Sequence, residues 1–312
     1  MLFSEEIDIA PGTSDFVLRD HLVLPVATTL HSIYPHAHYV CRSMRGTATL
    51  PDGTERVLFA IDNWDFDWQD DYRFAQPILL PAGTALAIEY VYDNSEQNSN
   101  NPVRPVQRVQ FGQDSADEMG TCTFSMTLGK PQDRAKLLMA TTDRDLEKLP
   151  NAWNLLLQKG RLERELGNFV VAEKVVEQAC QISPGAAAVW YELGMLSESM
   201  HKLQRAVQSY QQAIGIDPNH AMAHMQLGTL FGRSGNDAMA LQHFRDAVRV
   251  LPNSSRAHNN YATANFAANK LGIAEVHYRR AVDLQPNYFN AQFNLLDVLL
   301  GHSDRVESVT FS

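Results

Sequence analysis

The sequence predicts an α+β multidomain chain: an N-terminal antiparallel β-sandwich of jelly-roll type, followed by an all-α solenoid of paired helices. Two observations carry this reading. Residues 1–130 break into short apolar runs of strand length separated by turn residues. Residues 151–312 repeat their small, aromatic and proline positions at a fixed interval. A hydrophobic fraction of 45% across 312 residues suffices for two globular cores.

In chain order, the predicted strands are DFVLRD, TTLHSIY, HYVCRSMRGTATL, RVLFAI, ALAIEYVYD, RVQFG and GTCTFSMTL. PDG (51–53), PAG (81–83) and DNSEQNSNNP (93–102) punctuate them, with Asp93 and Asn94 suited to a turn. Trp64, Phe66, Trp68, Tyr72 and Phe74 alternate at period two, as one buried strand face would. The charged segment 131–150 reads as a partly helical connector. The net charge of −10 lies in the first part, where 8 Lys and Arg face 18 Asp and Glu. That balance disfavours nucleic acid and anionic membrane as partners. No apolar run of 18 residues exists, so no membrane span is expected. The N-terminal MLFSEEIDIAPG does not read as a signal peptide. The expectation is a cytoplasmic protein as written, or a periplasmic one if the natural start lies upstream. Three cysteines set no disulfide framework, and a Cys41–Cys122 bridge and free thiols both stay open.

In the second part, prolines stand at 184, 218, 252 and 286, each 34 residues from the last. Ala172, Ala206, Ala240 and Ala274 keep the same step, as do Tyr210, Phe244 and Tyr278. The clearest copy shows Trp190, Leu193, Gly194, Ala206, Tyr210, Ala213 and Pro218. This resembles the tetratricopeptide repeat. Small residues let two antiparallel helices approach, an aromatic fills the gap, and proline stops the second helix. About four repeats plus a capping helix are expected over 151–312. The first copy is degenerate, with Lys159 where a leucine would stand, and the last, from about 287, has a first helix only. Stacked repeats offer a groove for a protein or peptide ligand. Its expected lining is Tyr191, Met195, Met225, Asn259, Phe266 and Phe293.

The segment YPHAHYV (34–40) carries the chemistry-bearing candidates of the first part. Residues i and i+2 of a strand share a face, so His36 and His38 can aim two imidazoles at one point. A pair supplies half of a usual ligand set, and hydrogen-bonded histidines without metal are the commoner case. Third-ligand candidates are His21, His31, Cys41, Cys122, Met119 and the acids; parity puts His31 on the other face. Met119 with two imidazoles would form a mixed soft site suited to copper, and as a core filler it needs no ligand role.

The order LPVATTLHSIYPHAHY, WDFDWQDDYRF, LPAGTALAIEYVYDNSEQNSNNP and VQFGQDSADEM resembles the C-terminal catalytic domain of the copper type II, ascorbate-dependent monooxygenases, the peptidylglycine α-hydroxylating kind, and its bacterial relatives in particular. The resemblance spans about residues 5–128. It implies one copper ion held by His36, His38 and Met119, with ascorbate or another one-electron reductant. Two departures stand out. The family carries a second copper on a three-histidine domain, for which this chain offers only His21 and His31 upstream. The family's carboxylate-gripping Arg, Asn and Tyr are here Tyr34, Thr121 and Thr123, so a glycine-extended peptide is not the expected substrate.

Two readings result. One is the C-terminal part of a bacterial copper monooxygenase, a metal-binding oxidoreductase hydroxylating an unactivated C–H bond. It would be incomplete without a separate three-histidine copper domain. The other is a non-enzymatic scaffold in which the repeats are the functional part and the β-domain a relict or copper-binding module. A periplasmic copper carrier is a third, disfavoured by the absence of a visible export signal.

Overall fold

The computed structural model describes residues 2–3, 6–114 and 116–300. They divide after Lys148 into two compact units.

The first unit holds strands β1 (Leu2–Phe3), β2 (Asp8–Ile9), β3 (Thr13–Val23), β4 (Thr28–Ala37), β5 (Cys41–Thr49), β6 (Glu55–Ile61), β7 (Tyr72–Leu80), β8 (Ala85–Asn94), β9 (Val109–Gln110) and β10 (Gly120–Leu128). One antiparallel sheet runs β1-β10-β4-β7, another β3-β8-β5-β6, and β2 pairs with β9. Strand β8 shows why: Leu86, Ile88, Tyr90, Tyr92 and Asn94 are buried while the residues between them are not, a pattern of period two. Both sheets turn such faces into one cluster, with Leu30, Ile33, Ala37 and Cys122 from the first and Leu18, Leu22, Met44, Leu86 and Ile88 from the second. Each large side chain so buried contributes roughly 1.5–3 kcal/mol.

Several expectations change. HYV belongs to the turn between β4 and β5, not to a strand. Phe66–Trp68 is a 3-10 turn whose start is capped by Asp65, which accepts from the Asp67 N–H. Trp64 is therefore buried while Trp68 is 77% exposed and Tyr72 40% exposed, and these aromatics are not one strand face. Strand β7 escapes a reading of the sequence because Pro77 interrupts it; as an edge strand, it tolerates the missing donor. Asn94 is fully buried instead of sitting in an open turn. Its amide donates to the carbonyls of Ile9, Ala10 and Gln107, and its oxygen accepts from Asn101. Cys41, Cys122 and Cys180 are all free and buried.

The expected connector forms helix α1 (Asp133–Lys148), which belongs to the first unit. Leu137 and Ala140 pack against the sheet core. Arg144 and Lys148 lie 3.3 and 3.1 Å from the buried carboxylate of Asp20 on β3.

The second unit holds α2 (Trp153–Glu165), α3 (Phe169–Ile182), α4 (Ala187–Ser199), α5 (Leu203–Ile216), α6 (Ala221–Arg233), α7 (Asp237–Val250), α8 (Ser255–Ala267), α9 (Leu271–Leu284) and α10 (Phe289–Leu299). First helices begin at 153, 187, 221, 255 and 289, and second helices at 169, 203, 237 and 271. Each step equals the sequence period. A Cβ on Gly194 would come within 2.4 Å of Tyr210, and one on Gly228 within 2.7 Å of Phe244, so the aromatics need glycine opposite them. Between the helices of each pair, Gly167, His201, Gly235 and Asn269 take a positive φ. The next N–H then reaches back five residues, as from Lys202 to Ser197 O at 2.8 Å. The degenerate first copy still pairs: Gly160 on α2 closes onto Val176 of α3. Residues 301–312, after α10, lie outside the described residues.

Candidate functional sites

In the first unit, His36 is the penultimate residue of β4 and His38 the first residue beyond it. Their rings meet edge to face with centroids 5.2 Å apart. His36 is half-buried and His38 is buried. His36 Nδ1 donates to Gln69 Oε1 at 2.5 Å, and His38 Nδ1 to the Asp117 carbonyl at 3.0 Å. Both acceptors are oxygens without a proton, so in the neutral rings the hydrogen sits on Nδ1 and Nε2 is left bare. Burial lowers the pKa of His36; the bond to Gln69 opposes this, and the neighbouring His38 adds to it. Phe66 lies edge-on to His38 at 5.8 Å and against His36 at 6.3 Å.

Glu118 knits this corner together. It is fully buried and accepts from the N–H groups of His38, Val40 (3.1 Å) and Met119 (2.8 Å). Burial pushes its carboxyl up to about 8, against the pull of those donors. Trp64 Nε1 donates to His38 O at 3.1 Å, and the Tyr92 hydroxyl to Met119 O at 3.0 Å.

The ladder places the remaining candidates. Thr121 pairs with His36, Thr123 with Tyr34 and Gly120 with Ala37. Met119, the residue just before β10, is therefore next in line toward His38, and it is partly buried. His31 differs from the parity reading. The register between β4 and β10 skips it, a bulge that shifts the alternation by one. It lies with Thr127, 2.9 Å away, on the outer face that also carries His36, five residues along the strand. His21 is on the other sheet, in β3. The thiols of Cys41 and Cys122 are buried and shifted upward, Cys122 to about 12. Among the described residues no group of three or more His, Cys, Asp or Glu gathers to hold a metal. Sequence reasoning misses Gln69, Asp117 and Glu118 as site residues. Glu118 adjoins Met119 in sequence, whereas Gln69 arrives by the 3-10 turn, for which the sequence pattern gives no sign.

In the second unit, the expected groove residues separate. Tyr191 and Met195 are half-buried, with Tyr191 against His220 at 4.9 Å and Tyr210 at 5.6 Å. Phe293 is 63% exposed, and Phe289 beside it on α10 is 76% exposed. Met225, Asn259 and Phe266 are buried and take no part in an open face. Met225 packs with Ala247 and with Ala257 of the following repeat, and Phe266 packs with Ala262 of its own helix and Ala274 and Tyr278 of the second helix of its own repeat. Asn259 accepts from Asn294 of the next first helix at 3.2 Å. The second unit carries buried charge as well: Glu192 on α4 accepts from Arg161 at 2.9 Å and Arg164 at 2.7 Å, both on α2. No helix among the described residues is long and apolar enough to cross a membrane.

Comparison with known proteins bears on this second unit. Residues 187–220 and 225–289 match models of the tetratricopeptide repeat. Among solved structures, MamA (41-end) from Desulfovibrio magneticus RS-1 is 19% identical, with a TM-score of 0.45 over 50% of this chain and 88% of its own. TTC0263, a thermophilic TPR protein of Thermus thermophilus, is 17% identical, with a TM-score of 0.45 over 54% and 91%. YrrB, described as a TPR protein with an unusual peptide-binding site, is 20% identical, with a TM-score of 0.43 over 52% and 83%. No curated protein matches the sequence. The 34-residue step, the glycine–aromatic closures and the two matched segments agree: residues 187–220 and 225–289 are tetratricopeptide repeats, and α2, α3 and α10 keep the same step.

Proposed function

We propose that this protein is a docking scaffold whose repeat array takes a protein or peptide partner along the accessible side of its first helices. The repeat match over 187–220 and 225–289 carries the reading. Tyr191, Met195 and Phe293 are the contact candidates, since aromatic and thioether side chains supply adaptable apolar area at interfaces. A peptide-display selection on the full chain, followed by titration of an enriched peptide, tests this. Tyr191→Ala combined with Phe293→Ala is expected to weaken binding about tenfold or more. A peptide bound equally well by the variant overturns the assignment.

A second reading rests on the bare Nε2 atoms of His36 and His38. Nδ1 atoms held by Gln69 and Asp117 are the outer-sphere arrangement that fixes imidazole ligands for a metal. With Met119 just ahead of the facing strand, the set fits one copper ion better than a hard cation. When bound, copper would supply one-electron chemistry toward oxygen, drawing on ascorbate or a similar reductant. The protein's own part is to orient the two rings, through Gln69, Asp117 and the Glu118 clasp, and to wall one side with Phe66. On this reading the β-unit is a sandwich of the copper-monooxygenase kind, and a separate three-histidine copper domain would complete it. Anaerobic Cu(I) titration should give one ion per chain, and Met119→Ala should weaken Cu(I) far more than Cu(II). A wild-type chain that binds no copper ends this reading and leaves the docking role standing.

A further inference from the structure

Four histidines of the second unit form two copies of one device. His224 on α6 meets His243 on α7 with their Nδ1 atoms 3.0 Å apart. One repeat later, His258 on α8 meets His277 on α9 at 2.8 Å. The outer nitrogens fix the hydrogens. His224 Nε2 lies 3.1 Å from Pro218 O, and His258 Nε2 lies 3.0 Å from Pro252 O. A carbonyl can only accept, so both Nε2 atoms donate, and in neutral rings their Nδ1 atoms are lone pairs. The partners His243 and His277 must then donate from Nδ1. This leaves His243 Nε2 as a bare acceptor, and that atom is buried without a hydrogen-bond partner.

We propose that the two pairs make the repeat array proton-responsive: closed at neutral pH, and loosened over α6–α9 on acidification. A proton arriving at a pair has one free nitrogen to take, the Nε2 of the second-helix histidine. For His243 that atom is sealed, with the whole residue only 7% exposed and Phe231 stacked on its ring at 5.6 Å. Charging it in place buries an unpaired N–H, so protonation favours an opened hairpin. His277 is half-buried, with Tyr261 edge-on at 4.8 Å. A second proton on either pair puts two N–H groups nose to nose.

The surrounding charges do not cancel this. His243 is pushed down to about 4 by burial and by His224, with Asp246 pulling the other way. His277 is lowered by burial and by His258. His220, ahead of α6, is lowered by burial and by His224 against Asp217, and its Nδ1 accepts the Ala223 N–H as the helix cap. Folded-state values below the unfolded one mean that the unfolded chain binds more protons in between. Stability is therefore full above about 6.5 and lost as pH falls toward about 4. The first complete repeat is the built-in control: Trp190 donates to Pro184 O at 2.9 Å, and the place facing it in the repeat is Ser209, so nothing there titrates.

Thermal melts of the full chain, read by helix ellipticity between about pH 7 and about pH 5, test the proposal. The wild type is expected to lose roughly 5 °C or more over that interval. A variant carrying the first repeat's own residues (His224→Trp, His243→Ser, His258→Trp, His277→Ser) should lose less than half as much. A flat wild-type profile, or a variant as acid-sensitive as the wild type, overturns it. If the variant does not fold, nitrogen-resolved NMR of the wild-type imidazoles decides. Hydrogen on Nδ1 of His243 and His277 at neutral pH supports the proposal. Hydrogen on their Nε2, or titration of His243 at or above the unfolded value, overturns it.

Discussion

In the first unit Glu118 reaches back 80 residues to the N–H of His38, and Asn94 spans 85 to Ile9. In the second, Arg161 reaches 31 residues to Glu192, His258 meets His277 after 19, and Trp190 caps a carbonyl six residues behind it. The sheets are closed by single polar clasps between distant segments, each occurring once. The helices are closed by one short-range pattern copied along the chain. A unique long-range clasp concentrates the consequence of losing it, while a copied contact spreads the load across neighbours.

Substitutions can break or sharpen that contrast. The largest effect is expected at Phe244, fully buried against Gly228: Phe244→Ala should cost about 3–5 kcal/mol in guanidinium unfolding followed by helix signal. A much smaller cost would mean the neighbouring repeats absorb the loss. Next comes Glu118→Ala, which strips the acceptor from His38, Val40 and Met119 together; urea unfolding should register about 2–4 kcal/mol. A cost below about 1 kcal/mol would show that the corner does not depend on its clasp. Arg144→Ala leaves Asp20 with Lys148 close by, so a milder loss of about 1–2 kcal/mol is expected from the same measurement. The smallest change should be a gain. His201 holds φ 58 where two other repeats place glycine, and His201→Gly should stabilise the helical unit by about 0.5–1 kcal/mol.

The same contrast decides what the sequence discloses. Helix starts, the proline stops and the Tyr210, Phe244 and Tyr278 positions are legible because each is written several times in phase. The accessible face of the first helices is only half legible. Position in a repeat says which helix a residue rides on, yet Met225 and Asn259 are covered by the repeat that comes after them. In the first unit the alternation of β8 is plain to read, whereas the bulge at His31 shifts parity without any glycine or proline to mark it. For the candidate metal site, two imidazoles on one face follow from spacing alone. Gln69, Asp117 and Glu118, which set the rings, come from other strands and turns, and pairing at such distance leaves no periodic trace. The histidine pairs have a sign that a search for prolines and alanines passes over: 224 and 258, and 243 and 277, share the 34-residue step.

From α4 onward, the first helix of each repeat grips the proline carbonyl behind it (Trp190 to Pro184, His224 to Pro218, His258 to Pro252, and the amide of Gln292 to Pro286), which gives the array a grammar of whole words. Excise residues 219–252 and His258 falls six places after Pro218, the spacing it already has to Pro252, so every donor still finds an oxygen. Cut two residues more or fewer and the hook misses its eye. Such a chain can change length by duplicating or dropping complete modules, while partial edits are punished at the splice.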